Sequence, residues 1–149
     1  MKVEEEGPVY QFIVLLHLIG SLWMGFYLIL PFVATRIAGA SSGARAGYAG
    51  SMMLANRWGQ FMLIVQFLTG GYLVGIAKFG MLWVSVVILL LILMGATTGI
   101  MAKPLKRLQQ ENQSKDGVQE QIKKVQLFSW LTFALFIVMV VLMKYPNLL

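Results

Sequence analysis

The sequence contains no cysteine and only one histidine, His17. The absence of cysteine excludes disulfides, thiolate-bound zinc, iron–sulfur clusters and a cysteine nucleophile within this chain. A single histidine also excludes metal sites of the HExxH type, which need two imidazoles on one helix. Any metal or cofactor chemistry that uses a protein imidazole must therefore use His17.

Charge is scarce as well. Charged residues make up 12% of the 149 residues, whereas ordinary soluble domains carry roughly 25%. Hydrophobic residues reach 58%, and the mean hydropathy is +0.76. A bilayer core of about 30 Å needs roughly 20 apolar helical residues, and four segments meet that requirement: about 9–35, 58–77, 79–102 and 125–144. The sequence therefore predicts an all-α integral membrane four-helix bundle that forms a single domain over 1–149.

The positive charges lie mainly in two connections, about 36–57 and 103–124. These connections contain nine basic residues: Arg36, Arg45, Arg57, Lys103, Lys106, Arg107, Lys115, Lys123 and Lys124. The opposite side has only Lys2, Lys78 and Lys144. The positive-inside rule then places both connections in the cytoplasm and both termini outside, in an up-down arrangement. The basic pI of about 9.8 thus reflects membrane orientation, and we expect no nucleic-acid partner.

The composition of each connection predicts its structure. The segment Ala38–Ala55 is rich in Gly, Ala and Ser, which predicts a loop that is either flexible or tightly packed. In the second connection, apolar residues recur at helical spacing, which predicts extensions of the third and fourth helices with a break at Gly117. A partner-docking or anionic-lipid surface is the alternative for its basic residues. Pro31 predicts a kink or end of the first helix at about Leu30.

His17 lies about eight residues into the first span, or roughly 12 Å below its outer end. Polar groups at that depth are costly, so each needs a partner or a function. The positions three, four, seven and eight further on share its helix face, and they are small or apolar: Gly20, Ser21, Met24 and Gly25. An antiparallel second helix would bring a stripe of Gln66, Thr69 and Gly70 to the same depth. These eight residues form the predicted site.

The chemistry of this group leaves three interpretations open. In the first, His17 is the axial ligand of a b-type haem, the glycines make room for the porphyrin, and Met24 or solvent lies opposite the histidine. In the second, His17 hydrogen-bonds Ser21, Gln66 or Thr69 across a contact between small residues of two membrane helices. The third is a relay for protons or substrate.

Other polar and aromatic residues give weaker signals. Three tryptophans near the span ends are typical of interfacial anchors: Trp58, Trp83 and Trp130. Trp23 lies near the middle of the first span, which predicts packing in the core or at a cofactor edge. Asn56 and Arg57 stand at the cytoplasmic mouth of the second span, where they could bind an anionic headgroup or a propionate. Thr97 and Thr98 are expected to bond back to their own helix.

The segment Leu16–Leu28, with the sequence LHLIGSLWMGFYL, resembles the opening helix of small four-helix membrane proteins related to the copper-resistance D family. That group includes the small membrane protoporphyrinogen oxidases. Arg57-Trp58 and Thr69-Gly70-Gly71 are similar to patterns in the second helix of the same group. The resemblance implies a four-helix bundle with His17 as a haem or metal ligand. The oxidase branch has a lysine in its third helix where this chain has Ser85, so porphyrinogen oxidation is not expected.

Together, the residues and the resemblance favour a small haem-associated redox or haem- and metal-handling protein of the bacterial cytoplasmic membrane. One alternative is a non-catalytic subunit or scaffold that packs against a partner membrane protein or another copy of itself. Another is a transporter of small solutes, although no carboxylate lies inside any span.

Overall fold

The computed structural model describes residues 7–77, 79–110 and 115–146. These residues form helices and contain no strand. The elements are α1 (Pro8–Met24), a 3₁₀ turn (Gly25–Leu28), α2 (Leu30–Ala38), α3 (Ser42–Ile76), α4 (Met81–Leu108) and α5 (Lys115–Lys144). Four segments are long and apolar enough to cross a membrane, the first being α1 together with the turn and α2. The all-α prediction is confirmed, and the four apolar helices are consistent with a small multi-pass membrane protein.

Contacts between neighbouring helices advance in opposite directions along the chain. Ser21 on α1 contacts Gln66 on α3, whereas Tyr27, which comes later in the chain than Ser21, lies beside Gly59, which comes earlier than Gln66. Between α4 and α5, Trp83 bonds to Leu142 and Thr97 bonds to Thr132. Adjacent helices are therefore antiparallel, as the short connections require.

The α-helix of the first segment is interrupted near Pro31, where a kink or an end was expected. Proline has no N–H for the carbonyl four residues earlier, which is that of Tyr27, and its ring crowds that carbonyl. The chain responds with the 3₁₀ turn over Gly25–Leu28, and α2 begins at Leu30. The break thus begins five residues before Leu30, because the lost hydrogen bond reaches back by a full turn. Below the break, α2 packs against α5, whereas α1 packs mainly along α3.

The predicted loop over 36–57 is wrong for residues 42–57, which form the first part of α3. The connection between α2 and α3 is reduced to 39–41. Helix propensity is low in this Gly- and Ser-rich stretch, but Ala49 and Met52 are buried against the bundle. The Ala49 carbonyl also accepts a hydrogen bond at 3.4 Å from Gln109, the residue that follows α4. Tertiary packing of small residues therefore overrides local propensity.

The helical extensions predicted over 103–124 are present where the structure describes this segment. Leu105 and Leu108 on α4 are buried, as are Ile122 and Val125 on α5, so the two extensions pack against each other. The break predicted at Gly117 is wrong, because α5 already begins at Lys115. Residues 111–114, which complete this connection, lie outside the described residues, as does Lys78.

The tryptophans divide differently from the prediction. Trp58 and Trp130 are about half exposed, as interfacial anchors would be. Trp83 is buried, stacks on Phe79 and donates its indole N–H to the Leu142 carbonyl at 3.1 Å, so it stabilises the α4–α5 contact. Trp23 is 47% exposed beside Trp58, and the prediction that it packs in the core is wrong.

Candidate ligand site around His17

A hydrogen bond between α1 and α3 fixes the state of the His17 side chain. His17 Nδ1 lies 2.8 Å from Thr69 Oγ1, and that hydroxyl donates to the Val65 carbonyl at 2.7 Å. A threonine hydroxyl has only one hydrogen, so its oxygen must accept the second hydrogen bond. A neutral His17 ring therefore carries its hydrogen on Nδ1 and a lone pair on Nε2. Among the described residues, no group bonds to Nε2.

Gln66 on α3 completes the contact between the two helices. Its Nε2 lies 2.6 Å from the His17 carbonyl oxygen and 3.0 Å from Ser21 Oγ. Ser21 in turn donates to the same His17 carbonyl at 2.9 Å. A Cβ at Gly20 would lie 2.6 Å from Gln66 Nε2, so the glycine provides the space for this amide. A Cβ at Gly70 would lie 3.3 Å from His17 Cε1, so Gly70 forms one wall beside the ring.

His17 borders a cavity of about 560 Å³ between the helices. Five of the predicted site residues line it: His17, Ser21, Met24, Gln66 and Gly70. The remaining wall comes from α3, α4, α5 and Phe79, which lies between α3 and α4, and it consists of apolar and aromatic side chains and a glycine. No lining residue is charged. The arrangement is a mostly apolar chamber with a small polar group at one side, which is typical of sites for lipophilic ligands and cofactors.

Three predicted site residues have other positions. Thr69 holds the imidazole from behind, Gly20 accommodates Gln66, and Gly25 has open space where a Cβ would be. The sequence analysis missed the opposite wall, where Phe136 and Met139 of α5 stand. These residues lie in uniformly apolar spans that contain no polar marker, so no sequence signal identified them.

His17 was also predicted to bind a metal, but the described residues place no cluster of metal-binding side chains around it. Within 7–77, 79–110 and 115–146, no group of three or more His, Asp or Glu side chains is placed to hold a metal ion. A bare divalent ion would thus find one strong ligand here, where stable sites have three or four. The geometry favours a ligand that brings its own donor atoms.

Asn56 is not available for the headgroup contact that its sequence position suggested. It is fully buried, and its Nδ2 donates to the Thr98 carbonyl at 2.9 Å. Arg57 beside it is exposed. The back-bonding expected of the threonines is confirmed, since Thr97 and Thr98 both donate to the Met94 carbonyl, at 3.0 and 2.8 Å.

Comparison of the chain with protein-family models, with curated proteins and with solved structures gives no match. The resemblance of the first helix to the copper-resistance D group therefore stays a hypothesis, and the geometry around His17 is the main indication of function.

Proposed function

We propose that this chain is a small protein of the bacterial cytoplasmic membrane that binds b-type haem through His17, with both termini outside the cell. One observation carries the proposal: the hydrogen bond to Thr69 leaves the Nε2 lone pair of His17 without a protein partner in a side chain that borders a large apolar cavity. An axial imidazole needs that lone pair.

The residues present meet most requirements of the group. Imidazole ligands commonly donate their second ring N–H to a neighbouring acceptor, which fixes the ring and raises its basicity, and Thr69 has that role here. The apolar wall suits a porphyrin. Met24, Met139 and Met143 all line the cavity and are the thioethers available as a second ligand. The cavity lining has no cation that could pair with the haem propionates. The propionates would therefore lie at the aqueous edge of the cavity, where Lys144 follows the lining residue Met143.

The roles of the protein groups follow from these contacts. His17 would hold the iron, Thr69 would keep the ring in the correct tautomer, and Gln66 would lock the helix that carries the histidine. Haem, when bound, would supply one-electron chemistry. The uncharged wall would exclude water from it.

An optical spectrum of detergent-purified protein from haem-replete cells tests the proposal. We expect a Soret band that is lost in His17→Ala and weakened or shifted in Thr69→Val, since valine keeps the shape and removes the acceptor. Ser85→Ala is the matched control, because Ser85 is exposed on α4 and bonds only to its own helix at the Met81 carbonyl. A colourless preparation, or an unchanged spectrum in His17→Ala, contradicts the proposal.

A second candidate function is a non-catalytic subunit that packs against a partner membrane protein or another copy of this chain. The observation that favours it is that most polar groups around His17 form hydrogen bonds that join α1 to α3. Gly25 provides the test, because a side chain there meets nothing within 4 Å in this chain. Gly25→Leu should keep the fold and release the partner, whereas Gly20→Leu would disturb the chain itself through Gln66. Transport of a small solute has no specific residue in its support.

A further inference from the structure

The His17 cavity is closed at the end that lies nearest the 3₁₀ turn. Met24 and Phe136 line the cavity there, and both side chains are buried. The ring of Phe136 lies 6.4 Å from the ring of Tyr27, which belongs to the turn. At this level the first segment and α5 therefore pack directly against each other.

The contact with α5 is not continued along α1. The turn and α2 pack against α5, whereas α1 packs along α3 and has no extensive contact with α5. Hydrogen bonds at His17 and Gln66 hold α1 against α3. Because the helix is interrupted between α1 and α2, the two parts can lean on different neighbours. A gap therefore separates α1 from α5 in the half of the bundle that contains His17.

Lining residues on both sides of this gap are accessible from outside the bundle. On α5, Val140 and Met143 line the cavity and are nearly half exposed, and Ser21 on α1 is exposed as well. The lining residues Phe67 and Ile88 are also exposed, but they belong to α3 and α4, which pack against each other. A residue that is exposed and also lines the cavity lies at its mouth. The cavity thus reaches the surface of the bundle between α1 and α5.

The surroundings of this mouth are lipid. Both α1 and α5 belong to segments that are long and apolar enough to cross a membrane, and no residue of the cavity lining is charged. Acyl chains would therefore meet the mouth directly, whereas a charged molecule would have to give up its water to enter. The opening favours ligands that are already dissolved in the bilayer.

We propose that the gap between α1 and α5 is the entrance of the His17 site, through which an apolar or amphiphilic ligand passes sideways from the bilayer into the cavity. The inference rests on the proposed function for the identity of the ligand, but the route is the same for haem and for any other bilayer-dissolved molecule. When the ligand is absent, acyl chains of the surrounding lipid have access to the cavity through the same gap.

Quenching of tryptophan fluorescence by brominated lipid tests the entrance without haem. Trp83 lines the cavity and is buried. The other three tryptophans are about half exposed and can be replaced by phenylalanine: Trp23, Trp58 and Trp130. In liposomes of phosphatidylcholine with brominated acyl chains, we expect strong quenching of the remaining Trp83 fluorescence and little quenching by iodide in the water. Absence of quenching by the brominated lipid overturns the proposal, as does stronger quenching by iodide.

A larger side chain at the mouth shows which gap the lipid uses. Val140→Phe in the same protein should reduce the quenching of Trp83 by brominated lipid severalfold, because the ring narrows the space between α1 and α5. Val141→Phe is the matched control, since Val141 is 43% exposed, does not line the cavity and should leave the quenching unchanged. Equal quenching in the two variants overturns entry between α1 and α5.

The same two substitutions, made in the unmodified protein, separate this proposal from the haem proposal. If the protein takes up haem from haem-loaded liposomes, the Soret band should rise severalfold more slowly in Val140→Phe than in Val141→Phe, and equal rates contradict the entrance. If the unmodified protein develops no Soret band, the haem proposal fails, and the quenching by brominated lipid alone decides whether the cavity opens to the bilayer.

Discussion

The bundle holds two buried polar sites that differ in how they use their hydrogen-bonding groups. At His17, the ring N–H, the Thr69 hydroxyl and the Gln66 amide all have partners, and the group left over, Nε2, belongs to a side chain that borders a cavity of about 560 Å³. At the second site, the Tyr27 hydroxyl and Asn56 Oδ1 are left over, and both are enclosed. The first site can therefore receive a large ligand, whereas the side chains of the second are closed off from solvent.

Glycine has a different role at each site. A Cβ at Gly70 would lie only 3.3 Å from His17 Cε1, so this glycine leaves room for the imidazole ring beside the cavity. A Cβ at Gly59 would overlap the Tyr27 hydroxyl, so this glycine is required for the tyrosine to be present at all. The same residue type thus shapes a chamber in one half of α3 and permits a close contact in the other.

The largest effect is expected from Gly59→Ala. The added methyl must displace the rigid ring of a fully buried tyrosine, which should lower stability by about 1–3 kcal/mol. Gly50→Ala on the same helix is the control, because a Cβ there meets nothing within 4 Å and the change should be neutral or stabilising by up to about 1 kcal/mol. Chemical or thermal unfolding in detergent measures both. Equal effects of the two substitutions would show that the Tyr27 site is loosely packed.

Gln66→Leu tests the polar contact at the His17 site, with a smaller expected effect. Leucine cannot donate to the His17 carbonyl or to Ser21, so we expect a loss of about 0.5–2 kcal/mol. Gln60→Leu is matched in chemistry and helix, but Gln60 makes no hydrogen bond among the described residues and should change stability little. If the two leucine variants unfold alike, the amide of Gln66 contributes no specific contact, and α1 is held to α3 by apolar packing and the His17–Thr69 hydrogen bond.

The sequence predicted the parts of this molecule that depend on hydropathy and helical period. The four apolar segments, the helix break near Pro31 and the buried stripe on the two extensions all follow from the sequence, and the structure contains them. The approach of Thr69 and Gly70 to His17 was also predicted, because antiparallel helices of known length place those residues at one depth. Helical periodicity therefore predicts a contact between two helices best when one of the contacting residues is polar and unique in the sequence, as His17 is.

Other features depend on tertiary packing that a single sequence does not encode locally. The helix over 42–57 arises because small residues dock against the bundle, although their propensity favours a loop. Asn56 was expected to be able to bind a headgroup or a propionate because it stands at the cytoplasmic mouth of the second span, yet it is buried whereas the neighbouring Arg57 is exposed. The far wall of the cavity, including Met139, carries no distinguishing residue among its apolar neighbours. These positions are determined by which helix faces meet.

The smallest effect is expected outside both buried sites, at the ion pair between Glu120 and Lys124 on the extension of α5 before the apolar segment. The two atoms lie 2.6 Å apart, and the hydrogen bond from Lys124 lowers the pKa of Glu120. The folded pKa is below the unfolded one, so any stabilisation is present above the unfolded value and is lost as pH falls through the folded value. Because both side chains are largely exposed, water and salt screen the pair, and Glu120→Gln should unfold at the same temperature as the original protein at pH 7. A Tm loss as large as that of Gln66→Leu would mean that charge on this extension matters as much as hydrogen bonds inside the bundle.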